Sequence, residues 1–443
     1  MRVSEAAVLL DARHTGDDAL FVGVGTDTRT ITGTQLFVAL EGPHHDGHDY
    51  LDEASRRGAA AAMVRADAEC ALPAIRVPDT LAGLGQLAAA WRARFDVPVI
   101  AVTGSNGKTT VKEMCAAIMR AAYPVLATRG NLNNEIGLPL TLLELDDSHR
   151  VAVVEMGANH PGEIQRLARL ARPHVGVITQ CAPAHLEGFG SVEGVARAKG
   201  ELLANLDARG TAVINADDDW CGLWRTLAGR RDVVTFGFGE DADVRAEWFA
   251  DGPGSRVALH TPAGVLEVAL ALPGRHNAAN AAAATAAALA LGTPAQAVVE
   301  GLESVRPVPG RLAPRRLRDG LWLIDDTYNA NPTSLEAALA VLAEFPAPRW
   351  LVLGDMLELG EGARDFHAEA GRMARERGVE RLLAVGALSR ASVEAFGEGA
   401  RHYANLDRLI EDLSRDRSSD SAVLVKGSRS MGMERAVAAL EAE

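Results

Sequence analysis

Eight residues, Thr103-Gly-Ser-Asn-Gly-Lys-Thr-Thr110, hold two glycines, a lysine and several hydroxyl groups directly after the apolar run Val97-Pro-Val-Ile-Ala-Val102. A short strand that enters such a turn and then a helix aims backbone N–H groups and a helix N-terminus at one point, which suits a bound phosphate. The helix is expected to begin at about 109–111. Lys108 can then reach a terminal phosphate, and the Thr109 hydroxyl can hold a magnesium ion. Gly104, Ser105, Asn106, Gly107 and Thr110 complete the turn. The generic phosphate loop asks for a further glycine where Val102 stands, so the pattern alone leaves an ordinary strand–turn–helix open.

Other polar residues stand just past apolar runs. Glu155 follows Val151-Ala-Val-Val154, and His185 lies in Cys181-Ala-Pro-Ala-His-Leu-Glu-Gly-Phe-Gly190 beyond Val175-Gly-Val-Ile178. Open α/β sheets bind ligands at such strand ends. A carboxylate and an imidazole near Thr109 make a magnesium environment, although that ion prefers oxygen; each is equally an ordinary strand-end polar residue. The loop Thr128-Arg-Gly-Asn131-Leu-Asn133-Asn134 is crowded with amides and also reads as a glycine/asparagine turn. Lys199 sits in a helical stretch where a lone lysine is normally solvated. Asn277 opens an alanine-rich helix, a routine cap position. Near the C-terminus, Asp325-Asp326-Thr-Tyr328-Asn329-Ala-Asn331, Gly354-Asp355-Met-Leu-Glu-Leu-Gly360 and Lys426-Gly-Ser428-Arg429 again follow apolar runs. Near the N-terminus stand Asp27-Thr28-Arg29 and His44-His45-Asp46-Gly47-His48-Asp49. The histidine cluster invites a metal, but its spacing matches neither a helical pair nor a usual zinc pattern, and a solvated or substrate-facing loop fits better.

The elements that must position these groups follow from the apolar runs. Residues 1–96 read as a small N-terminal α/β domain, with strands near 36–40 and 59–64 and a helix over 51–58. Continuous runs at 99–102, 151–154, 175–178 and 211–214, separated by helical stretches, predict a central P-loop ATPase-like domain with a parallel sheet covered on both faces, over 97–309. Alternation at 256–260 and 265–272 reads as antiparallel. Runs at 321–324, 350–353, 381–385 and 422–425 predict a C-terminal Rossmann-like domain over 310–443. No Gly-x-Gly-x-x-Gly follows any of them, so a redox dinucleotide is not supported. The fold class is α/β in three domains, as expected for 443 residues.

Composition narrows the function. With 48% hydrophobic and 23% charged residues the chain is an ordinary globular one. A net charge of −14 argues against nucleic acid but leaves room for a basic nucleotide pocket. Cys70, Cys115, Cys181 and Cys221 are widely spaced, which favours free thiols in a reducing compartment. No signal peptide is visible, and the apolar stretch 278–291 is too short to span a bilayer. A cytoplasmic protein with no membrane insertion is expected.

Thr103–Met114 resembles the ATP loop of the Mur ligases, which build the peptide stem of bacterial peptidoglycan. Ser105-Asn106 and Val111-Lys-Glu-Met114 are most similar to the branch that adds the terminal dipeptide, and the later signatures extend the resemblance over essentially the whole chain. No Asp-Asn-Pro-Arg segment of the branch that adds the third residue is present. The resemblance implies an ATP-dependent ligase that joins D-alanyl-D-alanine to UDP-N-acetylmuramoyl-tripeptide through an acyl phosphate, acting as a monomer. It implies that Lys108, Lys199 and His185 are catalytic, Lys199 as a carbamate, and that two Mg2+ ions are bound, with Thr109, Glu155, His185 and the modified Lys199 as ligands. Asn277 would meet the adenine; Arg311 would contact the phosphates, with Asp326 and Tyr328 beside them. Asn131, Asn133, Asn134, Asn329 and Asn331 would face substrate, Lys426, Ser428 and Arg429 the dipeptide, and Thr28, Arg29, Asp46 and His48 the UDP end. The alternatives are a sister or folylpolyglutamate-type ligase, or a P-loop ATPase switch that turns over ATP without an amine acceptor.

Overall fold

Runs of Val, Ile and Ala with no polar alternation make strands that need cover on both faces. In the computed structural model, which describes residues 1–417 and 419–442, nine strands form the central sheet, and runs of this kind make its middle. From edge to edge they are Gly264–Leu270, Gly254–Thr261, Val244–Asp251, Asp232–Gly237, Thr211–Asn215, Val175–Ile178, Val99–Thr103, Val151–Glu155 and Val125–Ala127. The seven from Val244–Asp251 onward are mutually parallel, and the Gly254–Thr261/Gly264–Leu270 hairpin adds the antiparallel edge. One face carries the P-loop helix Lys108–Arg120 with the helices Arg275–Ala290 and Ala295–Ser304. The other carries Thr80–Arg92, Glu163–Ala171 and Val192–Ala204.

The alanine run of 278–288 serves this packing. Ala281–Ala284 and Ala286–Ala288 are wholly buried, so the helix is apolar nearly all round, as a helix enclosed within a core must be. No helix among the described residues is long and apolar enough to cross a membrane. Behind it, the helix Ala295–Ser304 crosses the P-loop helix so closely that a Cβ on Gly301 would lie 2.3 Å from Ile118 Cα. Gly301→Ala is therefore expected to push the two helices apart. Overpacking of this kind costs about 1–3 kcal/mol, so the thermal midpoint should fall by several degrees; an unchanged midpoint would contradict the contact.

Two smaller sheets flank the central one. The N-terminal sheet runs Arg13–Thr15, Ala74–Val77, Ala61–Arg65, Leu36–Val38, Val24–Gly25, with the first strand antiparallel. The third runs Ala313–Arg316, Trp322–Asp326, Ala422–Lys426, Arg349–Gly354, Arg381–Val385, Ala400–Tyr403, parallel except at its first strand. The carboxyl ends of the central and third sheets supply Glu155, Asp326 and Lys426 to a single cleft of about 1030 Å³. That convergence is what the topology contributes to chemistry.

Candidate active site

The P-loop is built by two glycines that no other residue replaces. Gly104 has φ +143°, and a Cβ there would sit 1.9 Å from Thr179 Oγ1. Gly107, at φ +81°, caps the P-loop helix, which begins at Lys108, one residue ahead of the expected start. Lys108 folds back so that Nζ donates to Gly104 O at 2.7 Å and Ser105 O at 3.1 Å. Burial lowers its pKa to about 8; Glu155 opposes that shift and Arg311 adds to it. Ser105 Oγ donates to Ala182 O and accepts from Ala182 N, tying the loop to the segment that carries His185. Asp218 holds the start of that segment by accepting from Cys181 N at 2.7 Å.

Glu155 is buried at 1% exposure. One carboxylate oxygen accepts from Asn133 Nδ2 at 2.6 Å, while the other is buried with no hydrogen-bond partner among the described residues. An orphaned carboxylate oxygen costs free energy unless a cation or donor meets it. Thr109 lies beside the loop with its hydroxyl accepting from Arg311 Nη2 at 3.1 Å. The Arg311 guanidinium stacks 3.7 Å over the Tyr328 ring, and Arg429 stands 5.8 Å from the same ring.

Lys199 neither reaches solvent nor pairs with Glu201, the two ordinary uses of a helical lysine. It is 2% exposed, and the Glu201 carboxylate instead accepts from Gly162 N and Gln165 N. Its ammonium has one long hydrogen bond, 3.4 Å to Ala158 O, and lies 5.0 Å from the Phe189 ring. Burial, reinforced by the charge of Lys108, lowers its pKa to about 7. His185 takes the left-handed conformation, φ +53°, and its Nδ1 pairs with Glu358, itself at φ +62°. Leu186 N donates to Glu358 O at 3.0 Å beside that pair. Burial lowers the His185 pKa, with Glu358 opposing.

Several expected contacts are already taken up within the protein. His48 uses both ring nitrogens, Nδ1 toward Asp46 at 2.5 Å and Nε2 accepting from Arg65 N at 3.0 Å, so it braces its loop. Arg29 is exposed and held by Asp27, and Thr28, Arg29, Asp46 and His48 are not among the residues lining the cleft. Among the described residues, no cluster of three or more His, Cys, Asp or Glu side chains is disposed to hold a metal ion. Lys426 does line the cleft, but it is 1% exposed, and its ammonium is engaged by Asp326 and by Asn329 O at 3.0 Å. Ser428 is buried and accepts from Leu357 N. Asn277 donates to Pro273 O and accepts from Asn280, closing the first turn of its helix. Asn134 Oδ1 accepts from Gly137 N at the start of the helix Gly137–Leu142; Asn131, Asn134 and Asn329 are exposed, the last two on the cleft.

The cleft also has walls that the sequence reading passed over. Asn215, Asp217 and Trp220 line its far end with Phe238 and Arg275, whose guanidinium stacks 3.5 Å over the Phe238 ring. The available signal was the acidic run Asp217-Asp-Asp219 just past the strand Thr211–Asn215. Glu358 lies in the segment Gly354–Gly360, and no local signal marks its partner His185, which is 173 residues away.

The chain matches the family models described as Mur ligase family, catalytic domain, over residues 21–123, Mur ligase middle domain over 102–288, and Mur ligase, glutamate ligase domain, over 310–429. It is 43% identical over 444 residues to the UDP-N-acetylmuramoyl-tripeptide–D-alanyl-D-alanine ligase of Escherichia coli strain K12, covering 99% of this chain and 98% of that protein. It is similar to a crystal structure of MurF from Acinetobacter baumannii, with a TM-score of 0.93 and 35% identity over 100% of this chain and 98% of that one. A MurF ligase from Thermotoga maritima in complex with ADP matches at TM-score 0.83 and 28% identity, covering 97% of this chain and 99% of the other.

Proposed function

The chain belongs to the Mur ligase family, and we propose that it joins D-alanyl-D-alanine to UDP-N-acetylmuramoyl-tripeptide at the expense of ATP. The observation that carries this reading is the single cleft in which the P-loop faces the third sheet: Lys108, Glu155, Arg311 and Lys426 all line it. A carboxylate is a poor electrophile, so it must first take the terminal phosphoryl group of ATP. The dipeptide amine then attacks the acyl phosphate, the new amide forms, and phosphate leaves. Lys108 and Arg311 gather positive charge in a protein whose net charge is −14, so they can offset the anionic groups that must approach. Tyr328, stacked under Arg311, keeps that guanidinium in place.

We assign residues 1–96 to the UDP-substrate domain, 97–309 to the ATP domain and 310–443 to the domain that admits the dipeptide. The nucleotide's base end belongs toward Asn277, Arg275 and Trp220, and the dipeptide carboxylate toward Arg429, which is exposed. The protein works in the cytoplasm as a monomer.

The orphaned Glu155 oxygen suits a magnesium ion, and the Thr109 hydroxyl and the second nitrogen of His185 would add ligands to a two-ion site that is still short of oxygen donors. When bound, the metal neutralises phosphate oxygens during transfer. Arg311 has to release the Thr109 hydroxyl for this. Lys199 fits as a carbamate, because its free-base amine is the form that reacts with carbon dioxide, and the product carries the oxygen donors the site lacks. Glu155→Gln is expected to raise the magnesium concentration for half-maximal rate by about tenfold or more, with a parallel loss of Mn2+ affinity by calorimetry. Unchanged affinity would remove Glu155 from the metal.

The whole reading is tested by phosphate release from ATP with the tripeptide precursor and D-alanyl-D-alanine supplied together or singly. Release should require both and match amide formation. Release that ignores the dipeptide would favour an ATPase switch.

A further inference from the structure

Asn106 stands in the middle of the P-loop and lines the cleft, and its side-chain amide is engaged by Asn331, which lines the cleft from the C-terminal domain. Its Nδ2 donates to Asn331 Oδ1 at 3.2 Å, and Asn331 Nδ2 donates back to Asn106 Oδ1 at 2.8 Å, across 225 residues of chain. The orientation of both amides follows from the surroundings. Asn331 Oδ1 also accepts from Ser334 N at 2.9 Å as the N-cap of the helix Pro332–Leu342, so the atom there must be oxygen. Its Nδ2 then faces Asn106, whose facing atom must be the acceptor.

Both ends are held before they meet. Asn106 O accepts from Thr179 Oγ1 at 2.5 Å, and the loop is fixed on either side by Gly104 and Gly107. Asn331 is 6% exposed and sits in a full capping box, its own N–H donating to Ser334 Oγ, with Pro332 at the first helical position. Two preorganised amides lose little freedom on pairing. The pair is also neutral, so arriving phosphates attract it less strongly than they attract the Arg311 guanidinium of the Arg311–Thr109 contact.

From this geometry we infer that Asn106 and Asn331 form an interdomain clasp, a pair of positioning residues that seat the C-terminal domain on the P-loop for the amine-transfer step. The inference rests on the ligase reading above. Asn106 thus contributes its backbone to the nucleotide and its side chain to domain registry. The seating matters because the strand ends Asp326 and Lys426 lie in the same domain as the helix that Asn331 caps, and amine attack is sensitive to displacements of about 1 Å.

The test uses Asn331→Ser, Asn106→Ala and the double variant of the full chain. Serine retains an N-cap oxygen but is too short to reach Asn106 and has no amide donor, so the melting midpoint should stay within about 2 °C of the parent. Each single variant should lower kcat about tenfold, and the double no further, because both remove one interaction. ATP affinity, measured by calorimetry without the other substrates, should stay within about twofold. A fluorescence-transfer pair spanning the ATP and C-terminal domains should report a longer distance in all three variants. Wild-type kcat in Asn331→Ser, multiplying losses in the double variant, or an ATP affinity loss in Asn106→Ala equal to its kcat loss would overturn the clasp. If the parent fails to ligate at all, the ligase reading falls, and the fluorescence distance alone decides the clasp: an unchanged distance refutes it.

Discussion

Lys108→Ala is expected to reduce ligation by at least about 10²-fold, the scale of removing one preorganised electrostatic donor from a transferring group. In the structure the ammonium rests on Gly104 O and Ser105 O, both within the loop, and no carboxylate among the described residues pairs with it. It is therefore free to move to a phosphate without breaking an ion pair. Burial holds its pKa near 8, so below that pH the group is charged. A triphosphate would raise that value by attraction, against the effect of burial. The check is steady-state phosphate release with all three substrates saturating. A variant that retains more than about a tenth of the parent rate would contradict the role, while a loss confined to the ATP Michaelis constant would show binding without transition-state stabilisation.

Lys199→Ala should be nearly inactive and should regain part of its rate with formate, which refills the anionic position that a carbamate leaves. The physical case is that a wholly buried ammonium with one 3.4 Å hydrogen bond, close enough to Lys108 to feel its charge, is held at a cost. The ammonium first loses a proton; addition of carbon dioxide to the free amine then forms an N–C bond and releases a second proton, so the charge goes from +1 to −1. The pH dependence has a definite sign. The folded pKa is about 7, below the ordinary lysine value of 10.5. Between these two values the unfolded chain binds more protons, so this group makes the unmodified protein more stable as pH rises through that window. The free-base amine accumulates over the lower part of the same range. Intact mass under non-denaturing conditions should therefore show a carboxylate on Lys199 whose occupancy increases with pH and with added bicarbonate. Full activity of the alanine variant without formate, or an unmodified mass at every pH, would sink the carbamate.

Four parallel strands of the central sheet were legible because they are runs of buried Val, Ile and Ala whose signal is local, as in Val99–Thr103 and Val151–Glu155, whereas Val125–Ala127, Asp232–Gly237 and Val244–Asp251 were not read. Arg13–Thr15, Val24–Gly25 and Ala400–Tyr403 were not. They are two to four residues long, have mixed exposure, and owe their conformation to the strand beside them. The strand Ala313–Arg316 is likewise set by its antiparallel neighbour rather than by its own residues.

What the sequence determined by itself is the phosphate loop, the residues at the strand ends and the family they belong to. Gly104 and Gly107 answer to backbone conformation, and Glu155 and His185 to their place after a strand, so both kinds of signal lie within a few residues. What only the tertiary structure decided is how each polar side chain uses its hydrogen bonds. The tertiary structure bonds the His48 ring to Asp46 and to Arg65 N, sets the buried Lys426 ammonium against Asp326, and pairs the Asn106 side chain with Asn331. Those outcomes depend on groups 100 or 225 residues away for Lys426 and Asn106, and on desolvation that exists only once the sheets have packed. A residue's type limits which bonds it can make, and the packed neighbours select among them.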